Sequence, residues 1–376
     1  MITGDLDRAL ATAISSAGTW RPAPPGTAGG PRTYATTVAF RLAAGHANGP
    51  AAVAARLADR LGGLDWVETA AVTGGGYLVV TVTAGALARL AVRITQAGPG
   101  CARSTALAGT SLAAPAAADL ASAPAWEEAR QRVHATVTGR LAEAAGAHVS
   151  WHHDAERITA PGPAAPRTAG PVMAVPEPAA PATAGPATAG GPVTPAGPVA
   201  GAVAYAGADA ITYALARLPP WGPARVDARL AAAHHLGNPA YAVRYAHAHA
   251  ASALRQAGDL GLDRGEVAGF QPRLLAHPSE QALLYELSWL PERVTGAGRR
   301  GRPDVLARYL EGLAGAYFDA QEACPAVWPG MAAPGSSPGE RAAARTAAAR
   351  LWLVTASRTA LRAGLGLLGV SAPDRL

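Results

Sequence analysis

The sequence predicts an α+β protein in three parts: a small N-terminal α/β module, a flexible linker rich in Pro, Ala and Gly, and a C-terminal all-α helical bundle. Three observations predict this class. Helical and β-prone patterns alternate before residue 98, prolines and glycines crowd the middle, and apolar residues with helical spacing fill the remainder. We predict boundaries of 1–98 for the module, 99–202 for the linker and 203–376 for the bundle.

The N-terminal module begins with an amphipathic helix on which Val53, Leu57 and Leu61 recur every fourth residue. Two β-prone runs follow, Trp66–Val72 and Tyr77–Val82, and a glycine-rich turn at Thr73–Gly76 joins them as a hairpin. A second helix is expected to cover Leu87, Leu90 and Ile94 and to end at Gly98.

The linker has the composition least typical of a folded domain. Between Pro161 and Pro198 eleven prolines occur with only two charged residues, Arg167 and Glu177, and near-repeats of TAGP. Such a composition buries too little apolar surface to offset the entropy of ordering, so we expect disorder there. One helix is predicted inside the linker, near residues 124–146.

The bundle is predicted from six helical patterns joined by short connections. Their expected bounds are Ala208–Leu218, Val226–Leu236, Ala240–Ala257, Glu280–Val294, Asp304–Ala323 and Gly339–Ala363. We expect Gly364 to end the last helix, since glycine is the usual helix stop.

The amino-acid composition excludes several kinds of catalytic and metal-binding site. All 32 basic residues are arginine, so the chain has no lysine for a phosphate loop or a Schiff base. The net charge of +6 permits a polyanionic partner without identifying one. Cys101 and Cys324 are far apart, and histidines two residues apart on a helix do not share a face. We therefore expect no metal site and no cofactor.

The N-terminal residues MITGDLDRAL carry acids, and no long apolar run free of charge and proline occurs. These features lead us to expect a cytoplasmic protein with no membrane contact.

Four segments of the bundle resemble the anticodon-binding domain of arginyl-tRNA synthetases, in the same order. NPAYAVRYAHAH (Asn238–His249) is similar to the family's NPVYYVQYAHAR, and HPSEQALLYELSWLPERV (His277–Val294) to a leucine-rich helix. Pro303–Cys324 resembles the helix that ends in FYxxC, and Leu351–Leu376 the terminal GLxLLGIsaPerM.

The N-terminal module resembles the tRNA-elbow domain of the same family. TYATTVAFRLA (Thr33–Ala43) is similar to DYATNVAxRLA, and VETAAVTGGGYLVVTV to VExxxVxGPGFINFxL. The middle of the chain does not resemble the family. GTSLAAP (Gly109–Pro115) occupies the position that precedes the family's HxGH turn, and no such turn follows. A chain without lysine also cannot contain the family's KMSKS loop. We therefore expect no catalytic residues and no adenylation.

The resemblance implies two RNA-binding surfaces. In the anticodon cleft Tyr245 keeps the family's tyrosine, while five other cleft positions differ: Ala242, Arg244, His249, Gln321 and Leu376. At the elbow surface the implied residues are Thr37, Arg41 and Tyr77. Aromatic stacking contributes about 1–3 kcal/mol per base, so the changes at 242 and 321 are expected to weaken anticodon reading.

Two functions follow as hypotheses. The first is a noncatalytic tRNA-binding protein, a carrier or regulator of tRNA (arginine tRNA in the first place), with a full-length synthetase or another protein as a further partner. The alternative is a protein-interaction module that no longer binds tRNA, which predicts an exposed apolar patch near Tyr213 and Leu215. A true arginine–tRNA ligase is a third and weaker hypothesis.

Overall fold

The computed structural model describes residues 2–11, 20–22, 30, 32–44, 49–117, 119–152, 199–328 and 337–376. The Pro-rich segment from Pro161 to Pro198, for which we expected disorder, lies outside these residues.

The described residues of the N-terminal module form five α-helices and a four-stranded sheet. The helices are α1 (Ile2–Ala11), α2 (Val38–Leu42), α3 (Pro50–Gly62), α4 (Ala84–Ala88) and α5 (Leu90–Ala97). The strands are β1 (Trp20–Pro22), β2 (Thr33–Thr36), β3 (Val67–Thr73) and β4 (Tyr77–Val82), antiparallel in the order β1-β2-β4-β3. The apolar stripe of α3 is buried as its spacing predicts. The fold class of this part, a small α/β module, is confirmed.

The β3–β4 hairpin turns at three consecutive glycines, as predicted. Gly74, Gly75 and Gly76 have φ of 52°, 76° and 149°, backbone angles that residues with a Cβ seldom adopt. Gly76 is also held close to α3, because a Cβ there would lie 2.7 Å from Cβ of Pro50. Glycine is needed at this turn for both reasons.

The predicted linker contains more structure than the one helix expected. A strand β5 (Ser111–Pro115), a helix α6 (Trp126–Ala144) and a strand β6 (His148–His152) form a unit whose two strands pair in parallel. Gly139 of α6 sits directly over this pair: a Cβ there would lie 2.6 Å from Cβ of Ala114 and 2.7 Å from the Trp151 ring. The short, mostly exposed strands carry too few apolar residues to be recognised from pattern alone.

All the regular secondary structure described between residues 199 and 376 is helical, which confirms the predicted bundle. Its helices are α7 (Val199–Ala206), α8 (Ala208–Arg217), α9 (Ala228–Ala232), α10 (Pro239–Asp259), α11 (Pro278–Ser288), α12 (Leu290–Arg300), α13 (Pro303–Ala323) and α14 (Pro338–Leu368).

The helix predicted over Glu280–Val294 is two helices, α11 and α12, which meet at Trp289. Pro291 lies in the first turn of α12, where its missing N–H costs nothing, whereas inside a continuous helix it would clash with the preceding turn. The single-helix prediction was wrong because it gave the proline too little weight.

The predicted stop of the last helix was also wrong. α14 continues past Gly364 and ends at Gly369, which has φ of 79° and the left-handed conformation of a C-cap. Gly364 instead allows close packing on α13, since a Cβ there would lie 2.4 Å from Cδ2 of Leu310.

The helix α6 is fastened to the bundle by two polar side chains. Arg130, 4% exposed, donates from Nη1 to the carbonyls of Pro219 and Gly222, each at 2.9 Å. One turn later His134 donates from Nε2 to the carbonyl of Leu215 at 3.0 Å. These bonds satisfy carbonyls at and beyond the end of α8 and fix α6 against it.

The N-terminal module and the bundle share one hydrophobic core. At their contact the Tyr34 hydroxyl lies 2.8 Å from Oγ of Ser288, and its ring lies 5.2 Å from that of Trp289 and 5.4 Å from that of Tyr285. The Tyr285 hydroxyl in turn donates to the carbonyl of Thr33 at 3.0 Å. The two parts are therefore packed directly together.

Tyr213 and Leu215, near which the protein-interaction hypothesis expects an exposed apolar patch, are both fully buried. Tyr213 donates its hydroxyl to the carbonyl of Ala307 at 3.0 Å, and Leu215 lies at the contact with His134. Because α6 and α13 cover this face of α8, these two residues are not themselves part of an exposed patch.

Candidate functional site

The helix α10 carries most of the predicted cleft, and a buried asparagine fixes where it begins. Asn238 accepts from the Ala240 N–H at 3.1 Å through Oδ1, the usual N-cap bond. Its Nδ2 donates to the carbonyls of Ala231 and Ala233 at 2.9 and 2.8 Å. The cap therefore ties the start of α10 to α9 and sets which residues share a face.

One face of α10 forms an aromatic cluster with α13. Tyr241 and Tyr245 stack with ring centroids 5.5 Å apart and planes 9° from parallel, and Tyr245 stacks on Phe318 at 5.7 Å. His234 extends the row by stacking on Tyr241 at 5.4 Å. We define the aromatic cluster as His234, Tyr241, Tyr245, His249, Tyr317 and Phe318.

His249 joins the two helices within the aromatic cluster. Its Nδ1 lies 2.9 Å from the Tyr317 hydroxyl, and its ring meets that of Phe318 edge-on at 5.9 Å. Burial lowers the pKa of His249 below its usual value and raises the pKa of Tyr317 above its usual value. Both side chains are therefore neutral near pH 7, and the hydroxyl can donate to the ring nitrogen.

The other predicted cleft residues lie around this cluster. Ala242 is half-buried on α10, one turn before Tyr245. Gln321 is half-buried on α13, one turn after Tyr317. Leu376, at the end of the C-terminal tail, is 53% exposed. The structure thus groups Ala242, Tyr245, His249 and Gln321 on two facing helices.

Arg244 faces a different direction. Its guanidinium lies 3.5 Å from the Asp209 carboxylate of α8 and 3.4 Å from Oγ of Ser371 in the tail. His247, which is fully buried, donates from Nδ1 to the carbonyl of Pro373 at 2.9 Å. This second face of α10 holds the C-terminal tail, so Arg244 has a structural partner on each side.

The predicted elbow residues lie at and near α2. Thr37 precedes the helix, and Arg41 is exposed in its last turn. Phe40, beside Arg41, is 38% exposed and packs edge-on against Tyr77, which is 45% exposed, with centroids 5.2 Å apart. The structure therefore adds an exposed aromatic pair to the surface that the resemblance implied.

The part of the chain that the structure describes contains no group of three or more His, Cys, Asp or Glu side chains placed to hold a metal ion. Cys101 and Cys324 are both buried and free, and burial raises the pKa of the Cys101 thiol to about 12. Neither thiol is therefore a ready nucleophile.

No single helix among the described residues is long and apolar enough to cross a membrane. α7 and α8 reach the required length only together, and they are bent by 118° where they meet.

Sequence reasoning missed four members of the aromatic cluster: His234, Tyr241, Tyr317 and Phe318. Tyr241 has the same helical phase as Tyr245 and remains half-exposed. The adjacent pair Tyr317-Phe318 was a usable signal, because the second ring of such a pair on a helix cannot point into the same core position as the first.

Comparison with known proteins agrees with the C-terminal assignment. Residues 243–376 match the DALR anticodon binding domain. The arginine–tRNA ligase of Micrococcus luteus is 41% identical over 168 residues, which are 45% of this chain and 29% of that protein. That of Paenarthrobacter aurescens is 38% identical over 168 residues, 45% of this chain and 28% of that protein. The chain thus matches less than a third of the length of these relatives.

The fold also has a solved counterpart. The arginyl-tRNA synthetase of Thermus thermophilus superposes with a TM-score of 0.62, covering 100% of this chain and 99% of that one at 16% identity. A likeness at this identity concerns the fold alone. Taken together, the C-terminal 45% of the chain is homologous to arginyl-tRNA synthetases and includes a DALR anticodon-binding domain.

Proposed function

We propose that the protein is a noncatalytic tRNA-binding protein, a carrier or regulator of tRNA, whose aromatic cluster stacks on unpaired bases of an anticodon loop. The observation that carries this proposal is the row of rings formed by His234, Tyr241, Tyr245 and Phe318. Two of these four rings, Tyr245 and Phe318, lie within the stretch that matches a DALR anticodon binding domain, and Tyr241 lies two residues before it. Because the relatives are arginine–tRNA ligases, arginine tRNA is the first RNA to test.

The geometry of the cluster suits stacking on bases. Tyr241, Tyr245 and Phe318 are half-buried, so each ring is held in place and still reaches the surface. A ring already fixed by its neighbours loses little side-chain entropy when a base stacks on it. Each stacked base contributes about 1–3 kcal/mol.

The resemblance places two tyrosines in the family cleft at positions where this chain has Ala242 and Gln321. Neighbouring rings of the aromatic cluster lie close to both positions. Ala242 and Gln321 supply no ring, yet Tyr241 and Phe318 stand one residue and three residues before them in sequence. Both stack on Tyr245, with centroids 5.5 and 5.7 Å away. We propose that these two rings take over part of the stacking, which favours retained RNA binding with altered base preference.

The second RNA contact in this proposal is the elbow surface. Phe40 and Tyr77 are exposed aromatic side chains on which RNA bases can stack. The positive charge of Arg41, beside them, can contact the phosphate backbone of the RNA. Because the N-terminal module packs directly on the bundle, this surface and the aromatic cluster belong to one body.

The noncatalytic part of the proposal rests on the chain's own residues. The sequence contains no lysine and no HxGH motif, and it therefore lacks the groups that a class I synthetase uses on the phosphates of ATP. Arginine-dependent exchange of pyrophosphate with ATP tests this directly. We expect no exchange above a no-enzyme control; exchange that depends on arginine would overturn the noncatalytic role.

RNA binding is tested with three RNAs: arginine tRNA, the same tRNA with its anticodon swapped, and an unrelated tRNA. We expect binding to arginine tRNA that weakens as salt rises, and weaker binding of the swapped variant. Equal binding to all three would leave a protein that recognises tRNA shape without reading the anticodon. No binding to any of them at low salt would reject the proposal.

A protein-interaction module is the second candidate, and exposed apolar side chains favour it. Tyr205, Trp221, Leu230 and Leu236 are 65%, 62%, 47% and 58% exposed, and they lie on or beside α7 and α9. Exposed apolar surface of this kind is typical of protein contacts. Loss of all three tRNA complexes would make this surface the next one to test.

A further inference from the structure

A cavity of about 1060 Å³ lies on the far side of the C-terminal tail from α10. Its walls are the end of α6, the segment 98–103, the last turns of α14 and the tail residues 370–373. Ser371 and Pro373 line it, and the same two residues contact Arg244 and His247 of α10. The tail is therefore a wall between this cavity and the helix that carries the aromatic cluster.

The lining of the cavity is strongly basic. Arg103, Arg140, Arg358 and Arg362 contribute four positive charges, and Glu143 is the one acidic residue among the described residues that line it. Glu143 and the Asp374 carboxylate that pairs with Arg358 balance two of these charges, so an excess of two positive charges remains around one concave space. The arrangement therefore lowers its own electrostatic free energy by binding negative charge.

Among the described residues, Arg103 and Arg140 have no carboxylate partner, and Arg362 lies near Asp374 without forming an ion pair with it. Arg358 pairs with Asp374 at 2.7 Å. For Arg103, Arg140 and Arg362, no ion pair is formed within the described ranges of the chain. Burial without a counter-charge lowers the pKa of Arg140 below its usual value. These guanidinium groups are therefore available to an anion.

The arginines are also not needed to cap the two helices that end at the cavity. The last carbonyls of α6 already accept backbone N–H groups, from Ser104 to Ala144 and from Ala147 to Ala142, both at 2.9 Å. At the end of α14, the N–H of Val370 donates to Leu365 at 2.9 Å. These carbonyls are thus capped without arginine side chains, although the negative ends of both helix dipoles also favour positive charge nearby.

We infer that this cavity is a phosphate-binding site, which holds phosphate groups of an RNA backbone or of a free oligophosphate. Guanidinium groups bind phosphate oxygens through paired N–H donors, so an arginine-lined site without lysine suits phosphate well. The RNA source rests on the proposed function above, whereas the free oligophosphate source does not.

The test compares two double variants with the same change of charge. Arg103→Gln with Arg362→Gln alters two exposed arginines of the cavity and keeps much of their volume. Arg300→Gln with Arg345→Gln alters two exposed arginines of α12 and α14 outside the cavity lining. Thermal melting shows that each variant is folded before binding is measured.

Two probes separate the phosphate sources. Sodium tripolyphosphate is titrated by calorimetry, and tRNA is measured by filter binding over a range of salt concentrations. We expect the cavity variant to weaken at least one probe about tenfold. For tRNA, we expect the slope of log K against log salt to shrink by about two, one for each lost phosphate contact. The control variant should change neither by more than about twofold.

The outcomes are distinct. Weakened tRNA binding with the reduced slope supports the backbone as the source, and weakened tripolyphosphate binding alone supports a free oligophosphate. If the wild type binds tripolyphosphate at the cavity and no tRNA, the cavity proposal stands while the proposed function fails. Equal behaviour of the cavity and control variants with both probes overturns the cavity proposal.

Discussion

His134 on α6 illustrates how a single buried side chain governs the stability of this fold. Its Nε2 donates to the carbonyl of Leu215, and desolvation by burial lowers its pKa below the usual value despite that bond. The ring is therefore neutral in the folded protein and takes up a proton on unfolding in mildly acidic solution. His247 and His249 are shifted in the same direction by the same cause.

We predict that the free energy of unfolding falls between about pH 7.5 and pH 5.5, and that His134→Gln reduces this loss. A histidine whose folded pKa is lowered stabilises the protein fully above its unfolded pKa of about 6.5. That stability is lost as the pH falls towards the folded pKa. Urea unfolding at both pH values measures the difference for each protein.

His148→Gln, at an exposed histidine of β6, is the control and should keep the wild-type loss. Burial raises the pKa of Glu286 and Glu292, which opposes the effect, but these residues are common to all three proteins. An equal loss in wild type and His134→Gln would contradict the assignment.

At the scale of elements, local patterns identified the strong elements and missed those that depend on distant contacts. The hairpin at Gly74–Gly76 and the stripe of α3 were predicted because glycine triplets and four-residue spacing act locally. The pair β5–β6 was missed because its pairing needs α6 to cross over and Gly139 to let the sheet approach. Gly364 was wrongly predicted to end α14 for the same reason, since only its contact with Leu310 of α13 shows that a residue without a Cβ is needed there.

The pair Gly364 and Gly366 on α14 tests this interpretation. Alanine raises helix propensity by about 1 kcal/mol at either position. At Gly364 the new Cβ would meet the fully buried Leu310, so we predict net destabilisation of about 1–2 kcal/mol for Gly364→Ala. At Gly366 nothing lies within 4 Å of a Cβ, so Gly366→Ala should be neutral or stabilising.

Chemical unfolding of both variants provides the measurement. If the two substitutions shifted stability in the same direction by the same amount, Gly364 would have no role in packing α14 on α13.

For the whole molecule, the order of the parts along the chain was predictable and their arrangement was not. Helical and β-prone patterns assigned the module and the bundle to their places, which the structure confirms. The contact between them depends on Tyr34, Tyr285 and Trp289, residues 250 or more positions apart across the contact, as in the bond from Tyr285 to Thr33. The same holds for the candidate site. The resemblance identified Tyr245 from the sequence, whereas the position of Phe318 beside it became known only from the packing of α10 on α13.

Because the module and the bundle share a core, we predict that they unfold together. Circular dichroism and tryptophan fluorescence should report one coincident transition. Tyr34→Ala, which empties the contact, should lower stability by about 3–5 kcal/mol and shift both signals equally. A module that melts separately from the bundle in the wild type would contradict the shared core.

The central claim is that the aromatic cluster binds RNA bases, and the most direct measurement compares Tyr245→Ala with Tyr205→Ala. Tyr245 lies at the centre of the cluster, whereas Tyr205 is a 65% exposed tyrosine on α7. In a quantitative binding assay with arginine tRNA, we predict that Tyr245→Ala weakens affinity roughly tenfold, because its ring holds Tyr241 and Phe318 in the row and its loss disrupts about one stacking contact with a base. Tyr205→Ala should bind as the wild type does. Equal affinity of the wild type and both variants would contradict the claim.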